Sequence, residues 1–309
     1  MILINDSLKE KISKDVYVAL GSFDGVHKGH LLLIDEIVDL AKKNNGESMV
    51  YTFKNHPLSV IDKDKTPKIL LDNKSKEDVL ESLGVDILCL KEFNESLMRL
   101  TPEAFIENLV KEFNIKGIVV GFNYRFGYEN KGDLELLKKL SEKLNFKLYI
   151  KEAYKIENEV VSSTKIRELI ALGKIKEANE MLGREYVLRG EVVGGRRLGR
   201  TIGFPTANLR PLDNMLIPKI GVYYTNVEVQ GKIYKGITSV GNNPTVNGKN
   251  TTIETYILDF NSDIYGETIK VYFIDEIRDE KKFSGLDELK AQLEKDKSFA
   301  RNQSKIINL

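Results

Sequence analysis

The hydrophobic pattern of this 309-residue chain changes near residue 183, and this change restricts the possible folds more than any other feature. Before residue 183, short apolar runs alternate with amphipathic segments of helical period. The pattern predicts strands at residues 16–20, 49–53, 86–90, 117–120 and 146–150, and helices at 31–43, 76–83, 101–113 and 133–144. Apolar strands separated by helices indicate a parallel sheet covered on both faces, with ligands bound at the carboxyl ends of its strands.

After residue 183, polar and apolar residues alternate in several short runs. They predict strands at residues 186–193, 222–229, 232–240, 253–260 and 270–277, with a hairpin turn over 229–232 and a final helix at 286–300. Five or six antiparallel strands with glycine-rich turns indicate a small closed barrel. We therefore expect an α/β chain with a doubly wound parallel-sheet domain at 1–183 and a small antiparallel β-barrel domain with a terminal helix at 184–309.

Composition limits the partners and the compartment. Lys and Arg number 47 and Asp and Glu 46, so the formal charge of +1 gives no reason to expect a nucleic acid. The single cysteine, Cys89, can form neither an internal disulfide nor a zinc cluster, which suits the reducing cytoplasm. No apolar stretch approaches the ~20 residues that span a bilayer, and the N-terminus lacks the pattern of a signal peptide. We expect small-molecule partners and no membrane; the oligomeric state cannot be read from the sequence.

A glycine-rich turn between the first strand and its helix carries two of the three histidines. The run from Gly21 to His30 reads GSFDGVHKGH. Backbone N–H groups and the helix dipole make such a turn an anion site, and His27 and His30 are spaced to face one spot. Alone, two histidines at this spacing also fit a surface pair or a metal site, although no cysteine or third histidine lies nearby in sequence to complete zinc ligation. In this turn, they point to the binding of phosphate groups.

A second candidate phosphate contact opens a later predicted helix. Residues 162–167 read SSTKIR, so hydroxyls can cap the helix start and Arg167 can reach a phosphate from the first turn. By itself this run better fits an ordinary helix cap with a solvated arginine; the histidine turn is what makes it a candidate phosphate contact.

The second half contains a glycine- and arginine-rich run at residues 194–208, which reads GGRRLGRTIGFPTAN. It does not fit the Gly-x-x-x-x-Gly-Lys-Ser/Thr phosphate loop. Judged by its arginines alone, it could be a flexible basic hairpin or a patch that touches RNA. Its ending in Pro-Thr-Ala-Asn makes it more specific.

Together the first-half motifs resemble the HxGH nucleotidyltransferases, and the longer glycine-rich run looks like the FMN adenylyltransferase module of bacterial bifunctional riboflavin kinase/FAD synthetases. The second-half run resembles the signature of riboflavin kinases. Further matches, in the order of that family, are residues 52–57, 121–127, 221–223, 241–245, 253–260, 263–266 and 278–283. The resemblance covers about residues 14–299. It implies two ATP-dependent reactions: riboflavin to FMN, then FMN to FAD with release of pyrophosphate.

For the first domain, the resemblance implies that His27 and His30 are catalytic. It implies ATP contacts by Gly21, Phe23, Asp24, Gly25, His27, His30, Ser163, Thr164 and Arg167, and flavin contacts by His56, Pro57 and Asn123. Family members commonly carry Asp-Phe where this chain has Asn123 and Tyr124. The FMN phosphate is already an anion, so this reaction needs positioning and charge neutralisation rather than a protein base.

For the second domain, the resemblance implies that Glu254 is the catalytic base, since the riboflavin hydroxyl loses a proton as it attacks phosphorus. It implies ATP contacts by Gly195, Arg197, Gly199, Gly203, Thr206 and Asn208, flavin contacts by Glu254 and Arg278, and Mg²⁺ ligation by Thr206 and Asn208. ATP is then a co-substrate of both domains, and Mg²⁺ the expected cofactor.

Two other functions compete with this hypothesis. One is a single-activity enzyme in which one half has become a scaffold. The other is a flavin- or nucleotide-binding regulator without catalysis. The presence of both histidines together with Arg167, Thr206, Asn208 and Glu254 favours the bifunctional enzyme.

Overall fold

The computed structural model describes residues 1–5, 12–195, 198–212, 214–245 and 248–307. The chain divides into two compact units. The first contains Met1–Ile69 and Asn73–Ser162, and the second contains Leu70–Asp72 and Ser163–Leu309. This grouping differs from the predicted division at residue 183 by two segments, 70–72 and 163–182, which belong to the same unit as the barrel.

A parallel sheet forms the centre of the first unit. Its strands are β1 (Ile2–Ile4), β2 (Val16–Leu20), β3 (Glu47–Phe53), β4 (Ile87–Lys91), β5 (Ile115–Gly121) and β6 (Lys147–Lys151). In the described part of the chain the sheet has six strands, in the order β1-β4-β3-β2-β5-β6, and all neighbours pair in parallel. The predicted parallel sheet is confirmed. A two-stranded antiparallel ribbon of β7 (Lys155–Ile156) and β8 (Glu159–Val160) follows.

Helices connect these strands. They are α1 (Lys28–Lys43), α2 (Leu58–Ile61), α3 (Asn73–Ser82), α4 (Glu95–Met98), α5 (Pro102–Phe113) and α6 (Leu134–Leu144). Local sequence explains where the longer ones begin: the Thr101 hydroxyl accepts a hydrogen bond from the N–H of Ala104, and the Asp133 carboxylate accepts one from the N–H of Leu136. Every residue of β2 is buried, as expected of a central strand covered on both faces.

The second unit is built on a closed barrel. Its strands are β9 (Tyr186–Val193), β10 (Thr206–Pro211), β11 (Gly221–Val229), β12 (Lys232–Thr245), β13 (Gly248–Ile257) and β14 (Thr268–Arg278). Their order is β10-β13-β12-β11-β14-β9, and the neighbouring strands run antiparallel. The predicted hairpin is confirmed: Gln230 and Gly231 have φ of 50° and 73°, which suits a tight turn between β11 and β12.

Four helices complete the second unit within the described residues: α7 (Ser163–Ala171), α8 (Ile175–Leu182), α9 (Leu198–Thr201) and α10 (Leu286–Asn302). Helix α8 is joined to the barrel by Asn179, a buried residue. Its amide nitrogen donates to the carbonyl of Phe273 in β14, and its oxygen accepts the N–H of Tyr186 in β9, both at 2.8 Å. Helix α10 covers the outer face of the barrel, where Ala300 packs with Tyr224 and Ile237. None of the helices among the described residues is both long and apolar enough to cross a membrane.

The segment after α10 forms hydrogen bonds with buried polar side chains of the barrel. The Tyr224 hydroxyl donates to the carbonyl of Lys305 at 2.7 Å, and the N–H of Ile307 donates to the side-chain oxygen of Asn226 at 2.9 Å. Both Tyr224 and Asn226 are fully buried. The segment therefore satisfies groups that would be costly to leave without partners.

Removing residues 303–309 should destabilise the barrel unit by roughly 2 kcal/mol, because Tyr224 and Asn226 lose these partners. Urea unfolding followed by far-UV circular dichroism would measure the change. The matched control is Ser304→Ala in the intact chain, an exposed position where a change within about 0.5 kcal/mol is expected. An unchanged unfolding midpoint in the truncated chain would mean that water replaces the segment without cost.

Candidate functional site

The topology of the sheet brings three predicted site segments to one edge of the first unit. Strand β2 lies between β3 and β5, so the carboxyl ends of these strands are neighbours. The histidine turn follows β2, His56 follows β3, and Asn123 follows β5. Chain order also reverses between β2 and β5, and in open α/β sheets ligands bind at such a reversal.

His27 and His30 form a reciprocal pair at the start of α1. His27 is the N-cap of the helix, and its Nδ1 accepts the N–H of His30 at 3.3 Å. The Nδ1 of His30 accepts the N–H of His27 at 3.4 Å, and the two rings stack with centroids 3.7 Å apart. In a neutral imidazole whose Nδ1 is an acceptor, Nε2 carries the proton. The arrangement therefore favours a donor N–H at Nε2 of both rings, which suits phosphate oxygens.

The backbone before His27 is held in an unusual conformation. Phe23 and Val26 have φ of 45° and 41°, in the left-handed region, and both are fully buried. A β-branched residue in that region is strained, and such strain concentrates at functional sites. Gly25, at φ 84°, takes the same region without a side-chain clash. A Cβ at Gly29 would lie 3.1 Å from the His27 ring, so this glycine leaves room for the histidine pair.

The other predicted contacts of the first unit have mixed exposure. Asp24 is buried within the histidine turn, whereas Asn123 is exposed after β5. The Nδ1 of His56 accepts the N–H of Leu58 at 3.2 Å, and Pro57 is the N-cap of α2. Beside Asn123, burial raises the pKa of the Tyr124 phenol above its ordinary value, at which the group is already protonated at neutral pH.

The predicted helix-start contacts fall in the second unit. Ser163 and Thr164 open α7, and Arg167 lies in its first turns with a partly exposed side chain. Helix α7 belongs to the same compact unit as the barrel. One of its contacts there is the Ile170 carbonyl, which accepts the N–H of Lys219 at 3.2 Å. The role of these residues in ATP binding stays a prediction.

Three predicted kinase residues lie together on the outer face of the barrel. Strand pairing places Asn208 of β10 directly opposite Glu254 of β13, and opposite residues of neighbouring strands share one face. The Thr206 hydroxyl donates to a carboxylate oxygen of Glu254 at 3.2 Å. Ser239 of β12 is the partner of Glu254 on its other side. Sequence reasoning missed Ser239 because the register of β12 against β13 is not visible in the sequence.

The glycine-rich run approaches this cluster closely. A Cβ at Gly195 would lie 2.3 Å from the side-chain nitrogen of Asn208, and one at Gly199 would lie 2.1 Å from the carbonyl oxygen of Phe204. Glycine is therefore required at Gly199, where a Cβ would meet backbone, whereas a Cβ at Gly195 would force the Asn208 side chain to move. Gly203 has φ of 84°, which also favours glycine. Arg197 lies outside the described residues.

A cavity of about 380 Å³ opens beside Thr206. Apart from Thr206 it is lined by Val192, Pro205, Ala207, Thr255, Ile257, Phe260, Asn261, Ser262, Asp263, Ile264 and Tyr265. The segment 260–265 belongs to this site, although sequence reasoning assigned it no role. The family match at 263–266 overlaps its last three residues, and that match is the signal that could have identified it.

Arg278, predicted to contact flavin, is engaged elsewhere. Its guanidinium donates to both carboxylate oxygens of Asp296 on α10, with a closest distance of 2.8 Å, and to the carbonyl of Asp279. Asp296 is only 1% exposed. In this structure Arg278 therefore fixes the end of β14 to α10, and its contact with flavin stays a prediction.

Comparisons with known proteins agree with both halves of this description. A sequence model of the FAD synthetase family matches residues 9–165, and one of the riboflavin kinase family matches residues 182–304. The chain is 38% identical to the bifunctional riboflavin kinase/FMN adenylyltransferase of Listeria monocytogenes over 92% of its length and 91% of the relative. It is 36% identical to the proteins of the same name from Bacillus subtilis, over 95% and 93%, and Escherichia coli K12, over 96% and 95%.

One solved structure also matches nearly the whole chain. It is named as a macrolide-efflux protein from Streptococcus pneumoniae, and it superposes with a TM-score of 0.90 at 38% identity, covering 98% of this chain and 100% of that one. The name, with its reference to efflux, applies to the pneumococcal protein. Both family models, the curated relatives and the two described units agree, and the chain belongs to the family of bifunctional riboflavin kinase/FMN adenylyltransferases.

Proposed function

We propose that the riboflavin kinase reaction takes place at Thr206, Asn208 and Glu254, and that the FMN adenylyltransferase reaction uses His27 and His30. The observation that carries the first assignment is the cluster on the outer face of the barrel, where the Thr206 hydroxyl lies 3.2 Å from the Glu254 carboxylate and Asn208 is paired with Glu254 across the strands. For the second assignment, the support is the stacked histidine pair at the start of α1.

In the kinase reaction, Glu254 acts as the general base. The hydroxyl oxygen of riboflavin forms a bond to the γ-phosphorus of ATP while the bond from that phosphorus to the bridging oxygen of ADP breaks. The hydroxyl proton passes to the carboxylate of Glu254. The bond from the Thr206 hydroxyl orients this carboxylate before substrate binds.

The oxygen atoms of this cluster fit Mg²⁺. A hydroxyl, an amide oxygen and a carboxylate are the kinds of ligand this hard cation takes, usually few from the protein and the rest from phosphate and water. Among the described residues, no group of three His, Cys, Asp or Glu side chains offers an all-protein metal site. Thr206 and Asn208 would hold the ion with the ATP phosphates, and it would neutralise phosphate charge there.

The cavity beside Thr206 is the proposed site of the adenosine part of ATP. Apolar side chains such as Val192 and Ile257 line it, and Asn261, Ser262 and Asp263 add polar groups. Apolar walls together with placed polar groups are a common form of small-molecule site. In this proposal, Gly195, Gly199 and Gly203 let the backbone of the glycine-rich run approach the ATP phosphates. Arg197 of the same run adds positive charge.

In the adenylyltransferase reaction, a phosphate oxygen of FMN forms a bond to the α-phosphorus of ATP, and the bond to the bridging oxygen of pyrophosphate breaks. No proton leaves the nucleophile. His27 and His30 donate from Nε2 to oxygens that gain charge in the transition state. Roles remain proposed for ATP contacts by Gly21, Phe23, Asp24, Gly25, Ser163, Thr164 and Arg167, and for flavin contacts by His56, Pro57, Asn123 and Arg278. The cytoplasm remains the proposed compartment, on the ground that the chain has one cysteine and it is buried.

Thr206→Ala tests the metal and nucleotide assignment. Riboflavin phosphorylation is measured while Mg²⁺ is titrated at fixed ATP, and the variant should need about tenfold more Mg²⁺ for half-maximal rate, since it loses one charge-assisted contact. Adenylylation of supplied FMN serves as the internal control and should keep its Mg²⁺ dependence. Superimposable kinase titrations for the variant and the wild type would remove Thr206 from the site.

A further inference from the structure

The end of the glycine-rich run is fixed at Phe204. Its N–H donates to the carbonyl of Gly199 at 2.7 Å, and its ring, 2% exposed, lies 5.0 Å from the ring of Tyr256. Tyr256 is the strand partner of Thr206. The Phe204 ring thus anchors the chain two residues before Thr206, against the strand that also carries Glu254.

A cation from α10 lies over this ring. The Nζ of Lys297 is 5.4 Å from the centroid of the Phe204 ring, and its side chain is 21% exposed. The neighbouring charge is Glu294, with a carboxylate oxygen 3.7 Å away and a half-exposed side chain. An ammonium over an aromatic face is attracted by the ring quadrupole, and more strongly when partly desolvated.

The position of Lys297 is fixed by the residue before it. Asp296 is held by the guanidinium of Arg278, and Gln292 donates to the same carboxylate at 2.8 Å. A buried ion pair with several hydrogen bonds sets both the depth and the rotation of the helix at this point. Two consecutive residues of α10 therefore contact the end of β14 and the end of the glycine-rich run.

From these contacts we propose that Lys297 is a positioning residue for the kinase reaction: acting through the Phe204 ring, it holds the end of the glycine-rich run in the conformation that places Thr206 for ATP. The proposal rests on the proposed assignment of Thr206 to the nucleotide site. It requires no contact between Lys297 and substrate.

Steady-state kinetics of riboflavin phosphorylation test it. Lys297→Met keeps the length and apolar stem of the side chain but removes the charge, and should raise KM for ATP about three- to tenfold with kcat changed by less than about twofold. Lys297→Arg should remain close to wild type, because a guanidinium also stacks on an aromatic ring. Lys295→Met, at an exposed position of α10, is the matched control and should behave as wild type.

A double-mutant cycle with Phe204→Leu identifies the route of the effect. If Lys297 acts through the ring, Lys297→Met should add little to KM for ATP in the Phe204→Leu background. A full additional increase there would overturn the proposal, as would an unchanged KM in Lys297→Met alone or a loss in Lys297→Arg equal to that in Lys297→Met. Far-UV circular dichroism and thermal unfolding show that the barrel unit of each variant is folded, since adenylylation of supplied FMN reports on the other unit. An incorrect assignment of Thr206 would be distinguished from an incorrect proposal for Lys297, because it would appear as an unaltered Mg²⁺ titration in Thr206→Ala.

Discussion

Replacing Glu254 by Gln should reduce riboflavin phosphorylation by about 10²- to 10⁴-fold, the usual contribution of a general base. Glutamine keeps the shape of the side chain and an oxygen that can accept from the Thr206 hydroxyl, so the fold of the cluster is expected to persist. It cannot take the proton of the attacking hydroxyl. Chromatographic separation of flavins over time, with riboflavin and excess Mg-ATP, measures the loss, while supplied FMN should still be converted to FAD at the wild-type rate.

The matched control is Glu228→Gln. Glu228 is also a partly buried strand glutamate of the barrel, but its carboxylate is bound to the Tyr272 hydroxyl at 2.8 Å, away from the proposed site. Kinase activity should survive this change. A fully active Glu254→Gln enzyme would show that the proton leaves by another route, and the base would have to be sought elsewhere.

Replacing His30 by Ala should reduce adenylylation and leave riboflavin phosphorylation intact, so that FMN accumulates as the end product. The change removes one Nε2 donor to the reacting phosphate, and losing one such donor costs about 10²- to 10³-fold in rate. It also removes the partner of the His27 N–H, so a stability loss of about 1 kcal/mol is expected at the start of α1. The assay is conversion of supplied FMN to FAD in the presence of Mg-ATP.

Riboflavin phosphorylation in the same sample is the control for this variant, because the kinase residues lie in the other unit. Thermal unfolding of the variant separates lost stability from lost chemistry. Undiminished FAD formation by His30→Ala would exclude the histidine pair from the reaction, whatever the sequence resemblance implies.

Much of the fold could be predicted because hydrophobic periodicity and helix caps are local signals. Strands β2 to β6 of the sheet and the hairpin at Gln230 follow from patterns within a few residues, whereas β1 was not predicted. Strand β10 was missed although Thr206–Pro211 alternates polar and apolar residues, because the run is short, ends in proline and follows a glycine-rich segment typical of a loop. The predicted strand over 253–260 is wrong at its end, because β13 stops at Ile257 and Asp259 takes φ of 56° in a turn.

The candidate site divides in the same way. The spacing of His27 and His30 predicts that they share one spot, and their stacked rings confirm it. The pairing of Asn208 with Glu254 depends on strand register, which only the folded barrel sets. The engagement of Arg278 with Asp296 depends on how α10 docks, and residues 18 apart in the chain give no local sign of such a pair.

The buried amide of Asn179 bears on how such a chain can be recombined in evolution. Because this side chain satisfies the backbone of both β9 and β14, α8 is a structural part of the barrel even though it precedes the first barrel strand. A gene exchange with its crossover at residue 184 would separate the barrel strands from Asn179. The N–H of Tyr186 and the carbonyl of Phe273 would then lose their shared partner. A crossover before α7 would keep Asn179 together with both strands that it binds.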